Sequence, residues 1–251
     1  DGGGTGYSTP PPQAEGRERG RGARGGRGQG QGGGTADPPA ARPFEVIDLT
    51  TGTKSSFPSV RTFAFSPDGE WLLIRPQTVG AAPAAGAAGG RGGRGGAAAG
   101  GAASDSNAPG QDLLMRRLPT GEQRYIGKVG TYAFDDAGKL MAYTVKGQGR
   151  LGNGVYVMTL ATGEQQTLDS ATADYEQLSW SGEGTHLAVL RGDKARDKAQ
   201  RDNVVLSWRN VGTPQMQAST FDPTKAAAFP EGMVVSEFSA PRWSDDGARL
   251  M

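Results

Sequence analysis

The sequence has 251 residues, 42 of them glycine, and only 35% are hydrophobic, so much of the chain cannot enter a packed core. Basic and acidic residues nearly cancel to a formal net charge of +1, which excludes a strong overall attraction to nucleic acid. The absence of cysteine excludes disulfides, thiolate metal sites and cysteine nucleophiles.

Residues 1–42 are rich in Gly, Pro, Gln and Arg and nearly lack apolar side chains, so we expect a disordered leader. Arginines among glycines also occur in segments that bind RNA by charge and stacking. Tyr7 is the one aromatic residue near them, and Glu15 and Glu18 dilute the charge, so a solvated linker is favoured over RNA binding. The arginines are Arg17, Arg19, Arg21, Arg24 and Arg27, with Arg91 and Arg94 further along.

The first patterned element is a hairpin in which Phe63 and Phe65 precede a turn at 66–69 and Trp71 begins the return strand. The same hairpin recurs three times. The four turns are Ser66-Pro67-Asp68-Gly69, Asp135-Asp136-Ala137-Gly138, Ser181-Gly182-Glu183-Gly184 and Ser244-Asp245-Asp246-Gly247.

A second kind of hairpin alternates with the first and turns at a Thr-Gly pair. Its copies are Phe44–Leu49 with Thr51-Gly52, Leu113–Leu118 with Thr120-Gly121, and Val155–Leu160 with Thr162-Gly163. One hairpin of each kind makes a repeat of four strands.

The turn glycines Gly69, Gly138, Gly184 and Gly247 are 69, 46 and 63 residues apart. We interpret the Gly/Ala-rich stretch 77–111 as a disordered insertion, without which the first interval is about 35 to 45 residues. Four strands at this period are typical of propeller blades. The sequence therefore predicts an all-β fold, a partial β-propeller of about four four-stranded antiparallel blades, with disordered Gly-rich segments.

The propeller domain is predicted to cover residues 43–251. Because Met251 follows a turn where a strand is expected, we interpret the chain as a fragment that is truncated in its last blade. It shows no signal peptide and no apolar run near the roughly 20 residues that span a bilayer, so no membrane partner is expected.

The segment Phe65–Leu72, with its Ser-Pro-Asp-Gly turn, resembles the repeat of TolB-like, WD-repeat-like propellers. Such propellers also form the non-catalytic half of prolyl oligopeptidase and dipeptidyl peptidase family serine peptidases. The segment Asn203–Arg209 is similar to one found in bacterial members. The resemblance implies a gate that restricts peptide access to a C-terminal α/β-hydrolase domain absent from this chain, and a periplasmic or secreted location.

The alternative is a free-standing TolB-like propeller that acts as a scaffold for protein binding. A hydrolase domain downstream of Met251 would distinguish the peptidase from the scaffold. The predicted partners are thus that hydrolase domain and a peptide substrate.

No residue of this chain is predicted to be catalytic, to bind a cofactor or to bind a metal. A nucleophile elbow needs Gly-x-Ser-x-Gly, and Ser181 lacks that spacing. His186 is interpreted as an ordinary residue at the end of a strand. The family's aminopeptidase members use paired glutamates, and no adjacent pair occurs here, so that specificity is not carried over.

Three further patterns have structural explanations. The pairs Asp135-Asp136 and Asp245-Asp246 lack the spacing of a calcium loop and are expected to cap their own turns. The charged stretch 191–202 is expected to be a solvated loop, with a short helix or a docking surface as alternatives. The tryptophans flanking the repeated turns are expected to pack in the core, with Trp208 on a different strand; they are Trp71, Trp180 and Trp243.

Overall fold

The computed structural model describes residues 43–77, 108–193 and 201–251. These residues form thirteen β-strands and two single turns of 3-10 helix, Gln148–Arg150 and Pro223–Lys225, without an α-helix. The strands are β1 Phe44–Ile47, β2 Lys54–Phe57, β3 Val60–Phe65, β4 Trp71–Pro76, β5 Gln111–Arg117, β6 Gln123–Phe134, β7 Leu140–Val145, β8 Gly154–Thr159, β9 Gln165–Ser170, β10 Asp174–Trp180, β11 Leu187–Asp193, β12 Asp202–Arg209 and β13 Gln217–Phe221.

All strand pairs are antiparallel and join neighbours in the sequence. They form sheets of two, seven and four strands, in the orders β1-β2, β3 to β9 and β10 to β13. The seven-stranded sheet is two repeats joined through β6, which spans 12 residues. The first half of β6 pairs with β5 and its second half pairs with β7, with the change at Val129.

The described strands therefore make three four-stranded units. The first blade is β3, β4, β5 and the first half of β6; the second is the rest of β6 with β7, β8 and β9; the third is β10 to β13. We call the first two strands of a blade its leading hairpin and the last two its trailing hairpin. A trailing hairpin, β1-β2, precedes the first blade, and a short leading hairpin at Trp243 and Leu250 follows the third. The predicted partial propeller is confirmed.

The leading hairpins turn where the sequence predicts. In the first turn the backbone N–H of Ser66 donates to the carbonyl of Trp71 at 2.9 Å, and Gly69 has a φ of +72°. That left-handed conformation favours glycine because a Cβ atom would be strained there. The equivalent glycines Gly138, Gly184 and Gly247 also have positive φ.

Side chains from consecutive blades share each core. One cluster joins Trp71 and Met115 of the first blade to Phe134, Met141 and Tyr143 of the second. A second cluster joins the second blade to the third and includes Trp208. Trp71 and Trp208 are buried, whereas Trp180 and Trp243 are partly buried at the blade boundaries.

The two predicted Gly-rich tracts fall almost wholly on residues outside the description. The leader 1–42 is outside it, and of the insertion 77–111 only the ends are described. Gln77 donates its N–H to the carbonyl of Ser59, and Gln111 is the first residue of β5.

The expected solvated loop 191–202 is partly wrong. Arg191 and Asp193 belong to β11, Asp202 begins β12, and Arg201 is only 3% exposed. The interpretation failed because alternating charges indicate only that a segment can be solvated. A charged side chain such as Arg201 can also be buried when it forms ion pairs with residues that are distant in the sequence. The intervening residues 194–200 lie outside the described part.

Candidate interaction surface at the start of the third blade

The structure places Ser181 and His186 together, but in a turn. The hydroxyl oxygen of Ser181 accepts the backbone N–H of His186 at 3.1 Å. The imidazole Nδ1 accepts the backbone N–H of Asn210 at 3.3 Å, and the ring lies 5.3 Å from that of Trp243. Both side chains therefore serve the hairpin and the packing between blades.

The acidic turns have the capping role that the sequence predicts. Asp135 accepts the N–H of Leu140 at 2.8 Å, and burial raises the pKa of its carboxyl. Asp246 accepts the Ser244 hydroxyl at 2.5 Å, and this hydrogen bond is the main reason that its pKa is lowered. Within residues 43–77, 108–193 and 201–251 no acidic or histidine cluster has the geometry to hold a metal ion.

Arg201 is the centre of a charged cluster that the sequence did not predict. Its guanidinium lies 2.5 Å from Glu176 Oε2, 3.8 Å from Asp174 Oδ2 and 3.6 Å from Glu237 Oε2. The three acids come from β10 and from the segment before the last hairpin. Burial lowers the pKa of Arg201, but the hydrogen bond and charge of Glu176 and the charges of Asp174 and Glu237 raise it overall.

Two more cations join this cluster from the loop between β7 and β8. Arg150 lies 3.1 Å from Asp174 and 2.6 Å from Asp193, and Lys146 lies 3.4 Å from Glu176. Asp174 is buried, and its carboxylate would be costly to bury without these ion-pair partners. The cluster therefore fixes the second blade to the third at the point where β10 begins.

The segment that follows β13 is tied down over this cluster. It starts with Asp222, whose carboxylate accepts the N–H of Thr224 at 3.0 Å and so caps a 3-10 turn. Asn203 donates to the carbonyl of Val235, and Gln177 donates to the carbonyl of Glu237, both at 2.8 Å. These bonds hold the backbone of residues 235–237 in one position.

Apolar side chains next to these anchor points face solvent. Met233 is 64% exposed and Phe238 is 75% exposed, while Leu151, which follows Arg150 in the chain, is 79% exposed. Exposed apolar groups rimmed by polar residues mark interaction sites. We call the exposed residues Leu151, Met233, Val234 and Phe238, together with the nearby ion-paired residues Arg150, Asp174, Glu176, Arg201 and Glu237, the loop-end surface.

Sequence reasoning missed the loop-end surface because its residues are far apart in the chain. Arg201 and Glu237 lie in different loops, and the partners Asp174 and Glu176 are on an ordinary-looking strand. One usable signal was present: Asp174 and Glu176 stand on either side of Tyr175 at the start of a strand, and a carboxylate that is buried there needs partners. The arginine-rich residues 17–27 and 91–94 lie outside the described part of the chain.

The ranges described here include no helix with the length and apolar character needed to cross a membrane.

Several solved structures are similar to this chain. The chain is similar to TolB from Acinetobacter baumannii, with 15% identity over 81% of this chain and 40% of that one and a TM-score of 0.40. It is similar to the β-propeller domain of the trilobed protease from Pyrococcus furiosus, with 13% identity, 60% and 40% coverage and a TM-score of 0.35.

A third similar structure is the Pyrococcus horikoshii acylaminoacyl peptidase, with 9% identity over 61% of this chain and 23% of that one and a TM-score of 0.35. The chain thus spans less than half the length of each of these structures. No family model matches the sequence. No curated protein matches it either.

Proposed function

We propose that this chain is the non-catalytic propeller part of a prolyl oligopeptidase-like serine peptidase. Its role is to dock a hydrolase domain and to limit which peptides reach the active site. The loop-end surface is the observation that carries this proposal, because it combines exposed apolar side chains with a backbone that ion pairs and hydrogen bonds hold in place. The Ser-Pro-Asp-Gly repeat, which resembles that of peptidase propellers, supports the same conclusion.

The division of labour follows from the chemistry of the described residues. Acyl transfer by a serine needs a base within hydrogen-bond reach of the hydroxyl. Here Ser181 accepts backbone N–H groups and the Nδ1 of His186 accepts that of Asn210. The proposal therefore assigns the nucleophile, the acid and the base to a hydrolase domain.

A gate has to keep its shape when a peptide presses against it. The ion pairs of Lys146 with Glu176 and of Arg150 with Asp174 meet this need, because moving the second blade against the third separates these opposite charges. The exposed Met233 and Phe238 can then be covered by a second domain without prior ordering of their backbone, which lowers the cost of docking.

The first test is the coding sequence that follows Met251. A downstream Gly-x-Ser-x-Gly motif, followed by an Asp and then a His, is expected. A stop codon after further blades would overturn the proposal and favour the TolB-like protein-binding scaffold.

The second test uses the full-length gene product with the Met233→Ser/Phe238→Ser double variant. We expect hydrolysis of long peptides to rise several-fold relative to a dipeptide ester, because a loosened domain contact widens access. Tyr125→Ser is the matched control, since Tyr125 is 72% exposed but lies on β6 away from this surface. An unchanged ratio of long to short substrates in the double variant would contradict a gating role for this surface.

A further inference from the structure

A cavity of about 530 Å³ lies between β2 and the first blade. Its walls come from β2, from the proline that follows β2, and from β4, β5 and β6. Within the described ranges, no residue of β1 or β3 lines it. Pockets that hold small ligands in proteins have volumes of roughly 300 to 1,000 Å³. The cavity is therefore large enough for a small molecule or for the end of a peptide.

The second blade has larger side chains at the positions that form one wall of this cavity. Ile74 opposes Leu114 across β4 and β5, and Tyr143 opposes Tyr156 at the equivalent place across β7 and β8. The two tyrosine rings are stacked with their centroids 5.4 Å apart, and the Tyr143 hydroxyl donates to Gln165 at 2.6 Å. The first blade thus has two branched aliphatic residues where the second blade has two aromatic rings.

The opposite wall of the cavity is also built from small side chains. Ser55 stands three residues after the glycine of its Thr-Gly turn, as Arg124 does in the first blade. Arg124 reaches across to the second blade, where its guanidinium donates to the carbonyl of Leu160 at 2.9 Å. The hydroxyl of Ser55 is too short to span an equivalent gap. The cavity therefore results from small residues on both of its walls.

Arg116 brings a positive charge into this largely apolar space. Its guanidinium lies 5.8 Å from the centre of the Phe57 ring and donates to the hydroxyl of Ser55 at 3.1 Å. Among the described residues no carboxylate forms an ion pair with Arg116, whereas its neighbour Arg117 lies 3.1 Å from Glu70. A guanidinium has five N–H donors. Arg116 is thus held in place and still has donors for a ligand.

We propose that this cavity binds an aromatic carboxylate, with the ring beside Ile74 and Leu114 and the carboxylate on Arg116. The ring takes the place that the stacked tyrosines fill in the second blade. The carboxylate accepts two parallel N–H bonds from the guanidinium, the strongest arrangement for this pair of groups. A small aromatic acid and the C-terminal residue of a peptide share this chemistry. The inference does not depend on the proposed peptidase function.

The first experiment is calorimetric titration of the full-length gene product with acetyl-Ala-Phe and with its C-terminal amide. We expect the acid to bind at least about ten-fold more tightly than the amide, because only the acid carries the charge that pairs with Arg116. Titration with 3-phenylpropionate distinguishes the two sources of the ligand. Tighter binding of the peptide assigns the site to a peptide C-terminus, and equal binding assigns it to a small aromatic acid.

Arg116→Met tests the role of the charge. Met158 stands at the equivalent position of the second blade, where it is 1% exposed, so methionine suits this place in a blade. We expect the variant to bind acetyl-Ala-Phe at least about ten-fold more weakly. Arg117→Thr is the matched control, because the second blade has Thr159 there and Arg117 does not line the cavity. Its affinity for the peptide is expected to stay unchanged.

The Ile74→Tyr/Leu114→Tyr double variant tests the shape of the cavity by filling it as the second blade is filled. We expect binding of acetyl-Ala-Phe to be lost while the melting temperature is maintained. Equal affinities for the acid and the amide, or an unchanged affinity in Arg116→Met, would overturn the proposal. So would the lack of saturable binding at millimolar concentrations. Binding that requires deletion of residues 80–105 would also overturn it, because the chain itself would then occupy the cavity.

Discussion

The indole Nε1 of Trp180 donates a hydrogen bond of 3.1 Å to the carbonyl oxygen of Ala133. This bond crosses from the first strand of the third blade to that of the second. Trp243 makes the equivalent bond to Ser179 at 3.4 Å. The first two blades have phenylalanine at the same place, Phe65 and Phe134, which has no N–H group to donate. Among these four positions, only the two tryptophans near the end of the chain can therefore make this hydrogen bond between blades.

Trp180→Phe keeps the ring and removes the N–H group. We expect the free energy of unfolding to fall by about 1 kcal/mol, because the partly buried carbonyl of Ala133 loses this donor. Trp243→Phe is the matched control, and its longer bond predicts a smaller loss. Guanidinium denaturation of both variants checks the order, and a larger loss in Trp243→Phe would contradict it.

Arg201→Met removes the cation at the centre of the charged cluster. We expect a loss of about 3 to 5 kcal/mol, because Asp174 and Glu176 are left with less compensation in a buried site. Asp193→Asn, at a carboxylate that is 60% exposed, is expected to cost less than about 1 kcal/mol. Urea denaturation measures the free energy of unfolding of both variants. Equal losses would show that the burial of Arg201 does not make its ion pairs more important than the exposed one of Asp193.

The stability of the second blade is expected to depend on alkaline pH through Tyr143. Burial, and then the neighbouring Tyr156, raises the pKa of its hydroxyl to about 12 from 10.0. The unfolded chain therefore loses this proton first, so the stabilising contribution is complete below pH 10.0 and is lost as pH rises towards 12. Between these pH values, the midpoint temperature of thermal unfolding is expected to fall more steeply for the wild type than for Tyr143→Phe. Parallel falls in the two proteins would contradict the raised pKa of Tyr143.

Gly184→Ala tests the close approach of consecutive turns. Its φ of +68° alone costs about 1 to 2 kcal/mol with a side chain. A Cβ atom would also lie 2.6 Å from the backbone nitrogen of Asp136. Gly69→Ala has the same backbone strain without the collision, so we expect the smaller loss there, measured by denaturant unfolding. A similar loss in both variants would mean that the turns can move apart freely.

The repeats in the sequence predicted the hairpins well because they are local. A turn such as 66–69 and its two strands lie within about a dozen residues, so alternation and glycine placement specify them. The Thr-Gly turns worked for the same reason. These two signals were enough for the strand order of the first two blades and for the leading hairpin of the third, whereas β12 and β13 are joined without a Thr-Gly turn.

Contacts between blades were not predictable in this way. Arg150 of the second blade meets Asp174 and Asp193 of the third, which lie 24 and 43 residues away in the sequence, and no local pattern pairs them. The exposure of Phe65 likewise depends on whether another hairpin covers it. Both are set by how blades meet, which is a property of the tertiary structure.

The 12-residue strand β6 belongs to two blades without a loop between them. A pull on its first half, at the trailing edge of the first blade, is carried through covalent backbone into the leading hairpin of the second. Residues 171–173 separate β9 from β10, so the second and third blades have a break in the backbone ladder that the first two lack. Under load, the first two blades should therefore yield together, and the third should detach before them.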